Sequence, residues 1–241
     1  MVIGTLRDDL PFAVVATIGN FIAFNFALRN VIDTGNITYP QYILPVVLVQ
    51  VTFLGVLTAV DRAARDRQSD FGIQLRTLPI PAAVPLMARM LYCIIRGVVV
   101  LLTTFATGYV FGFRMIGGPL CALAFCAITL LLTLAVSLGA DAAGSRLGDS
   151  PIGKGGTASQ VLLVPQMLLV ILSTGMAPVE SFPDWLHTFV EYQPVSQVTE
   201  TLRGLASGHV MVGNLATTLA WCFGMLGLFG VAALRMQRRT T

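Results

Sequence analysis

The chain has 241 residues, of which 55% are hydrophobic and only 11% charged. A water-soluble domain carries about a quarter charged residues, so this composition excludes a fully solvated surface and points to lipid as the solvent. The net charge of +3 does not signal nucleic acid, because the basic residues stand in short gaps between apolar runs rather than along one binding face.

A membrane-crossing helix needs about 20 mostly apolar residues. Six segments meet that requirement: Pro11–Val31, Pro40–Val60, Leu86–Tyr109, Pro119–Ala140, Ser159–Ala177 and Asn214–Leu234. The opening MVIGTLRDDLPF lacks the basic start and small-residue cleavage site of a signal peptide. Asn36-Ile37-Thr38, between the first two segments, fits a glycosylation acceptor, a three-residue pattern that is frequent by chance.

The gap after the second segment, Asp61 to Met90, is dense in charge up to Asp70. Phe71, Ile73, Leu75 and Leu78 then interleave with Gln74, Arg76 and Thr77, and Pro79, Pro81 and Pro85 stop any long helix. This predicts a short helix at the membrane surface, offering apolar and charged groups together. Positive-inside anchoring explains the arginines; the apolar set suits the groove of a partner protein.

The gap after the fourth segment contains Gly148-Asp149-Ser150-Pro151-Ile152-Gly153-Lys154-Gly155, which has the glycine and lysine spacing of a phosphate loop. Such a loop follows a strand, and its lysine precedes Ser or Thr. Here Gly155 follows Lys154 and the stretch joins two apolar segments, so it reads as a flexible connection and the chain as no ATPase. The gap after the fifth segment is about 36 residues long, with amphipathic pieces at Phe182–Tyr192 and Pro194–Ala206. Pro194 suits the first turn of the second piece. Trp185, Phe189 and Tyr192 suit a membrane interface. The two pieces predict a re-entrant helical hairpin or a lid lying on the surface.

Alternating the gaps between the two sides places eleven basic residues with the N-terminus and three, Arg29, Arg114 and Arg203, opposite; Arg96 is unassigned. This makes both termini cytoplasmic. No span has a central Asp, Glu, Lys or His, which disfavours a proton-coupled secondary transporter or a channel, the alternative class. Arg96 is expected to snorkel. His187 and His209 are 22 residues apart without a metal pattern, and Cys93, Cys121, Cys126 and Cys222 read as small hydrophobes in apolar runs, which disfavours an intramembrane enzyme. Asn20, Asn25, Gln50, Thr52, Thr103, Thr104, Gln166, Ser173 and Thr174 are expected to hydrogen-bond between helices.

Four stretches carry a resemblance. They are Asp70-Phe71-Gly72 with Leu78-Pro79-Ile80-Pro81; Thr107-Gly108-Tyr109-Val110-Phe111-Gly112-Phe113-Arg114; Ser173-Thr174-Gly175-Met176-Ala177-Pro178 with Phe182-Pro183-Asp184-Trp185-Leu186; and Gln193-Pro194-Val195-Ser196 with Leu202-Arg203-Gly204-Leu205. In order and spacing the chain resembles an ABC transporter type-2 permease of the daunorubicin-resistance and phthiocerol dimycocerosate exporter group of actinobacteria. The resemblance covers about Pro40 to Leu234. It departs at the N-terminus, where only about ten residues precede the first span instead of a longer amphipathic helix, and at Leu78, which replaces the Thr of a Thr-Pro pair.

The resemblance implies an all-α membrane protein, one permease domain over residues 1–241. It has six spans, a cytoplasmic coupling helix, and an extracytoplasmic re-entrant hairpin between spans five and six. The chain would sit in the bacterial plasma membrane and export a hydrophobic or amphiphilic drug or lipid. It would work with two ATP-binding subunits and a second permease, identical or homologous, amid membrane lipids. It would hold no cofactor itself, ATP and magnesium belonging to the ATPase partner. Asp70, Phe71, Gly72, Leu75 and Arg76 would couple to that partner, and Trp185, Phe189, Gln193, Pro194 and Arg203 would form the re-entrant segment.

Overall fold

A computed structural model describes residues 2–28, 39–68, 83–148, 150, 158–176 and 179–238. Among them eight α-helices follow in order: α1 (Val2–Leu28), α2 (Tyr39–Gln68), α3 (Ala83–Val110), α4 (Gly118–Gly148), α5 (Ala158–Ile171), α6 (Asp184–Tyr192), α7 (Pro194–Ser207) and α8 (Val212–Arg238). A 3-10 turn, Val179–Ser181, precedes α6. Helix is what an apolar solvent dictates, because each segment then satisfies its own backbone N–H and C=O groups.

Helices α1 to α4 and α8 are long and apolar enough to cross a membrane. The segment expected to be the fifth span is shorter: α5 has 14 residues, about 21 Å of rise against a hydrocarbon layer of about 30 Å. The others outrun their apolar runs. Pro11 lies inside α1 rather than at its start; an apolar surround offers the freed backbone no better partner than the helix. Helix α2 continues past Val60 to Gln68 and α4 past Ala140 to Gly148. Asp61, Arg62, Asp66 and Asp141 therefore ride on helices and hold fixed directions.

The chain packs into two compact units. The first comprises Met1–Thr52, Arg96–Leu130 and Leu168–Trp221; the second comprises Phe53–Ile95, Leu131–Met167 and Cys222–Thr241. In the first, Phe21, Phe113 and Phe125 are fully buried. Phe105 sits 5.3 Å from Phe125 and 6.1 Å from Phe113, and Phe21 sits 5.3 Å from Phe111, as tilted ring pairs. The end of α3 supplies this cluster through a sharp stop. Gly112 takes φ 97°, the Phe113 N–H reaches the Gly108 carbonyl at 2.8 Å and the Gly112 N–H reaches Tyr109 at 3.3 Å. That is a Schellman cap, for which glycine suits the left-handed residue.

In the second unit Leu86, Met90, Leu138, Ala142 and Ala233 form an apolar core, with Leu134, Leu226 and Phe229 packed on it. Polar side chains brace the helices beside that core. The Arg62 guanidinium lies over the Tyr92 ring at 4.0 Å. Asp61 accepts the Ser159 N–H at 2.7 Å, so a carboxylate on α2 caps the start of α5, where the helix dipole favours negative charge.

The polar residues within the spans mostly serve their own helices. Asn20, Thr52, Thr103 and Thr104 each donate to the carbonyl four residues back, at Ala16, Leu48, Val99 and Val100, which satisfies a side chain without a partner helix. Arg96 is buried rather than extended outward.

Candidate functional site

The hairpin of α6 and α7 is the best-defined site among the described residues. It turns at Gln193, which ends one helix and begins the next with an extended backbone (φ −65°, ψ 150°). Pro194 explains that geometry, because the residue before a proline is pushed out of the helical region and a proline fits the first helical position. Helix α6 is amphipathic in fact as in sequence. Trp185 is 81% exposed and Phe189 50%, while Val190 is fully buried. Tyr192, the third aromatic expected at a membrane interface, is exposed as well.

Helix α7 is held from its buried side. Gln193 is 3% exposed; its side-chain amide donates to the Leu172 carbonyl and, at 3.1 Å, to Ser196 Oγ. The same Ser196 oxygen accepts the Thr174 N–H at 3.0 Å. Arg203, one to two turns further along, spreads its guanidinium across three carbonyls. Nε donates to Tyr42 at 3.1 Å, Nη1 to Thr174 at 3.2 Å and Nη2 to Gly175 at 3.0 Å. Nη1 also meets Glu200 at 2.9 Å, and the guanidinium stacks 3.6 Å from the Tyr42 ring centre.

In the turn Leu172–Met176, where α5 stops, the carbonyls of Leu172, Thr174 and Gly175 thus accept from Gln193 and Arg203, and that of Ser173 accepts the Met176 N–H, as an apolar setting requires. On the other flank Thr218 of α8 donates to the Gln197 carbonyl at 2.9 Å, so the 2.8 Å contact between Thr201 and Thr218 has Thr201 as donor. Trp221 Nε1 donates to the Tyr192 carbonyl at 3.1 Å. The Ile116 N–H reaches the Ala206 carbonyl at 2.9 Å. The hairpin is therefore pinned to α2, to the end of α5, to the α3–α4 connection and to α8.

Gln193 and Arg203 both bond the turn that follows α5, Pro194 opens α7 between them, and Trp185 and Phe189 are exposed on α6. The expected coupling residues Asp70, Phe71, Gly72, Leu75 and Arg76 lie outside the described residues. Gly148 ends helix α4, so the phosphate-loop look-alike is entered from a helix, whereas a phosphate loop follows a strand. Sequence reasoning missed a second feature. Thr129, Thr133, Ser137, Asp141 and Ser145 are all buried and recur every four residues, one polar stripe along α4. That period was legible, but short hydroxyl residues vanish into a hydropathy average.

Residues 22–235 match the family model described as "ABC-2 family transporter protein". The chain belongs to the ABC-2 transporter family. This ABC-2 permease is 28% identical over 240 residues to the "Probable doxorubicin resistance ABC transporter permease protein DrrC" of Mycobacterium tuberculosis, covering 100% of this chain and 82% of that one. It is 29% identical over 209 residues to the "Doxorubicin resistance ABC transporter permease protein DrrB" of the same organism, covering 80% and 67%. It is 26% identical over 200 residues to the "Daunorubicin resistance ABC transporter permease protein DrrB1" of Streptomyces coeruleorubidus, covering 83% and 69%.

Proposed function

We propose that this ABC-2 permease exports a hydrophobic or amphiphilic molecule, a drug or a lipid, from the cytoplasm or the inner leaflet. ATP is hydrolysed on separate subunits. The observation that carries this reading is the family match over nearly the whole chain, and the relatives named for drug resistance supply the substrate class.

The unit is one permease domain of six spans in the bacterial plasma membrane, α5 with its exit turn serving as the fifth and α6–α7 as an extracytoplasmic re-entrant hairpin. Both termini are cytoplasmic. The distribution of arginines supports that orientation. Eleven basic residues stand in the gaps that share a side with the N-terminus, against Arg29, Arg114 and Arg203 in the others. Two such permeases, identical or homologous, work with two ATP-binding subunits. Asp70, Phe71, Gly72, Leu75 and Arg76 face those subunits. Phe71 would act as the anchor, since a few aromatic contacts dominate such interfaces.

The test is reconstitution of the permease with its ATPase subunits in proteoliposomes, with doxorubicin and a fluorescent phosphatidylethanolamine as probes. ATP-dependent movement of at least one probe, abolished by leaving out the ATPase, is expected. Movement driven by a proton gradient without ATP would sink the reading in favour of a secondary transporter.

A further inference from the structure

Arg89, near the start of α3, bridges two carboxylates on two other helices. Its Nη2 lies 3.1 Å from Asp66 Oδ2 on α2, and its Nη1 lies 2.6 Å from Asp141 Oδ1 on α4. Asp141 is 5% exposed at its side chain, Arg89 26% and Asp66 32%. The arrangement is graded from a nearly dry carboxylate on α4 to a partly wet one on α2. A guanidinium suits this task because its planar fork carries separated donors that hold two carboxylates at once, which a lysine ammonium does not reproduce. Asp141 also belongs to the buried polar stripe of α4, between Ser137 and Ser145.

The positions in the chain give the bridge its meaning. Asp66 stands just before the segment 69–82 and Arg89 just after it. Arg62, one turn before Asp66, stacks on Tyr92, one turn after Arg89. The two helix ends that flank the segment are thus fastened to each other by both pairs, and Arg89 carries the fastening on to α4 through Asp141.

We infer that Arg89 is a positioning residue for energy coupling, transmitting displacement of the flanking helix ends to α4 through Asp141. The inference rests on the reading that 69–82 meets the ATPase. A push on that segment moves the ends of α2 and α3, and the double ion pair obliges α4 to follow. Loss of the Asp66 arm leaves the buried Arg89–Asp141 pair intact, so the helices stay packed while the input is weakened. Loss of the cation leaves Asp141 buried and unpaired, a heavier and partly structural injury.

The experiment uses the full complex in proteoliposomes and reads probe moved per ATP hydrolysed, at matched membrane levels, with whichever of the two probes the wild type moves. Asp66→Asn and Arg89→Lys are expected to accumulate normally and to lower that ratio about five-fold or more, the low end of ordinary coupling energies, with Asp66→Glu restoring it to within about two-fold. Phe71→Ala in the same complex separates the layers. If it lowers the ratio while Asp66→Asn and Arg89→Lys leave it at the wild-type value, the coupling reading stands and the role of Arg89 is refuted. If none of the three changes the ratio, the coupling reading fails and the inference falls with it. Reduced accumulation with an unchanged ratio makes Arg89 a brace only and overturns the inference.

Discussion

Replacing Arg203 by alanine tests what holds the hairpin in place. Arg203 has a side chain only 12% exposed, donates to three carbonyls at 3.0 to 3.2 Å and stacks on Tyr42. The Glu200 pair contributes little to the count, because Glu200 is 38% exposed and solvent can replace its partner. Taking each carbonyl bond at about 1 kcal/mol net, and the stack at about 0.5 to 1 kcal/mol, the loss is roughly 3 to 4 kcal/mol.

That loss is local, since the helices that cross the membrane keep their own backbone bonds. It should appear as opening of α7 rather than unfolding. Val198 on α7 is fully buried and makes a reporter when changed to cysteine in a background without Cys93, Cys121, Cys126 and Cys222. At about 1.4 kcal/mol per factor of ten, Arg203→Ala should raise the labelling rate of Val198→Cys a few hundredfold. Arg203→Lys should fall between, because one ammonium spans neither the three carbonyls nor the ring face. A labelling rate within about two-fold of the parent for Arg203→Ala would refute the latch, since the calculated loss leaves no room for so small a change.

Cysteines placed at Ser69 or Ser150 should react only with reagent on the cytoplasmic side and those at Ser181 or Ser207 only from outside; labelling at Ser150 in intact cells would break the topology. Lys154→Ala should leave transport within about a few fold, and the purified chain should bind no nucleotide, because a helix enters the glycine-lysine run in place of a strand; saturable binding lost in that variant would reverse this. Phe71→Ala, and Asp70→Arg more strongly, should cut transport and substrate-stimulated ATPase activity while the permease still accumulates, as expected when a buried anchor or a charge contact is lost. Gly144→Ala puts a methyl group against the Val60 carbonyl and 2.8 Å from Ala63 Cβ, so the detergent-solubilised protein should lose about 1 to 3 kcal/mol of stability; an unchanged melting temperature would mean that α2 and α4 have space to spare.

What the sequence determined by itself was local. Runs of apolar residues long enough to span a bilayer produce helices because lipid leaves the backbone no other partner, and the apolar stretches of α1 to α4 and α8 are readable as such. Pro194 marks the corner of the hairpin, and the alternation in α6 marks its outward aromatics, since both depend on neighbours a few residues away. The extensions of α2 and α4 into charged sequence were not readable from hydropathy, because it weighs side chains and not the backbone that carries them.

Only the tertiary structure decided the polar partnerships. Arg89 finds Asp141 across 52 residues, Asp61 caps Ser159 across 98 and Arg203 reaches Tyr42 across 161. A guanidinium on one helix reads the same in sequence whether it faces solvent, lipid headgroups or three bare carbonyls. Its role is set by which backbone groups the packing of other helices leaves unsatisfied within about 3 Å of it.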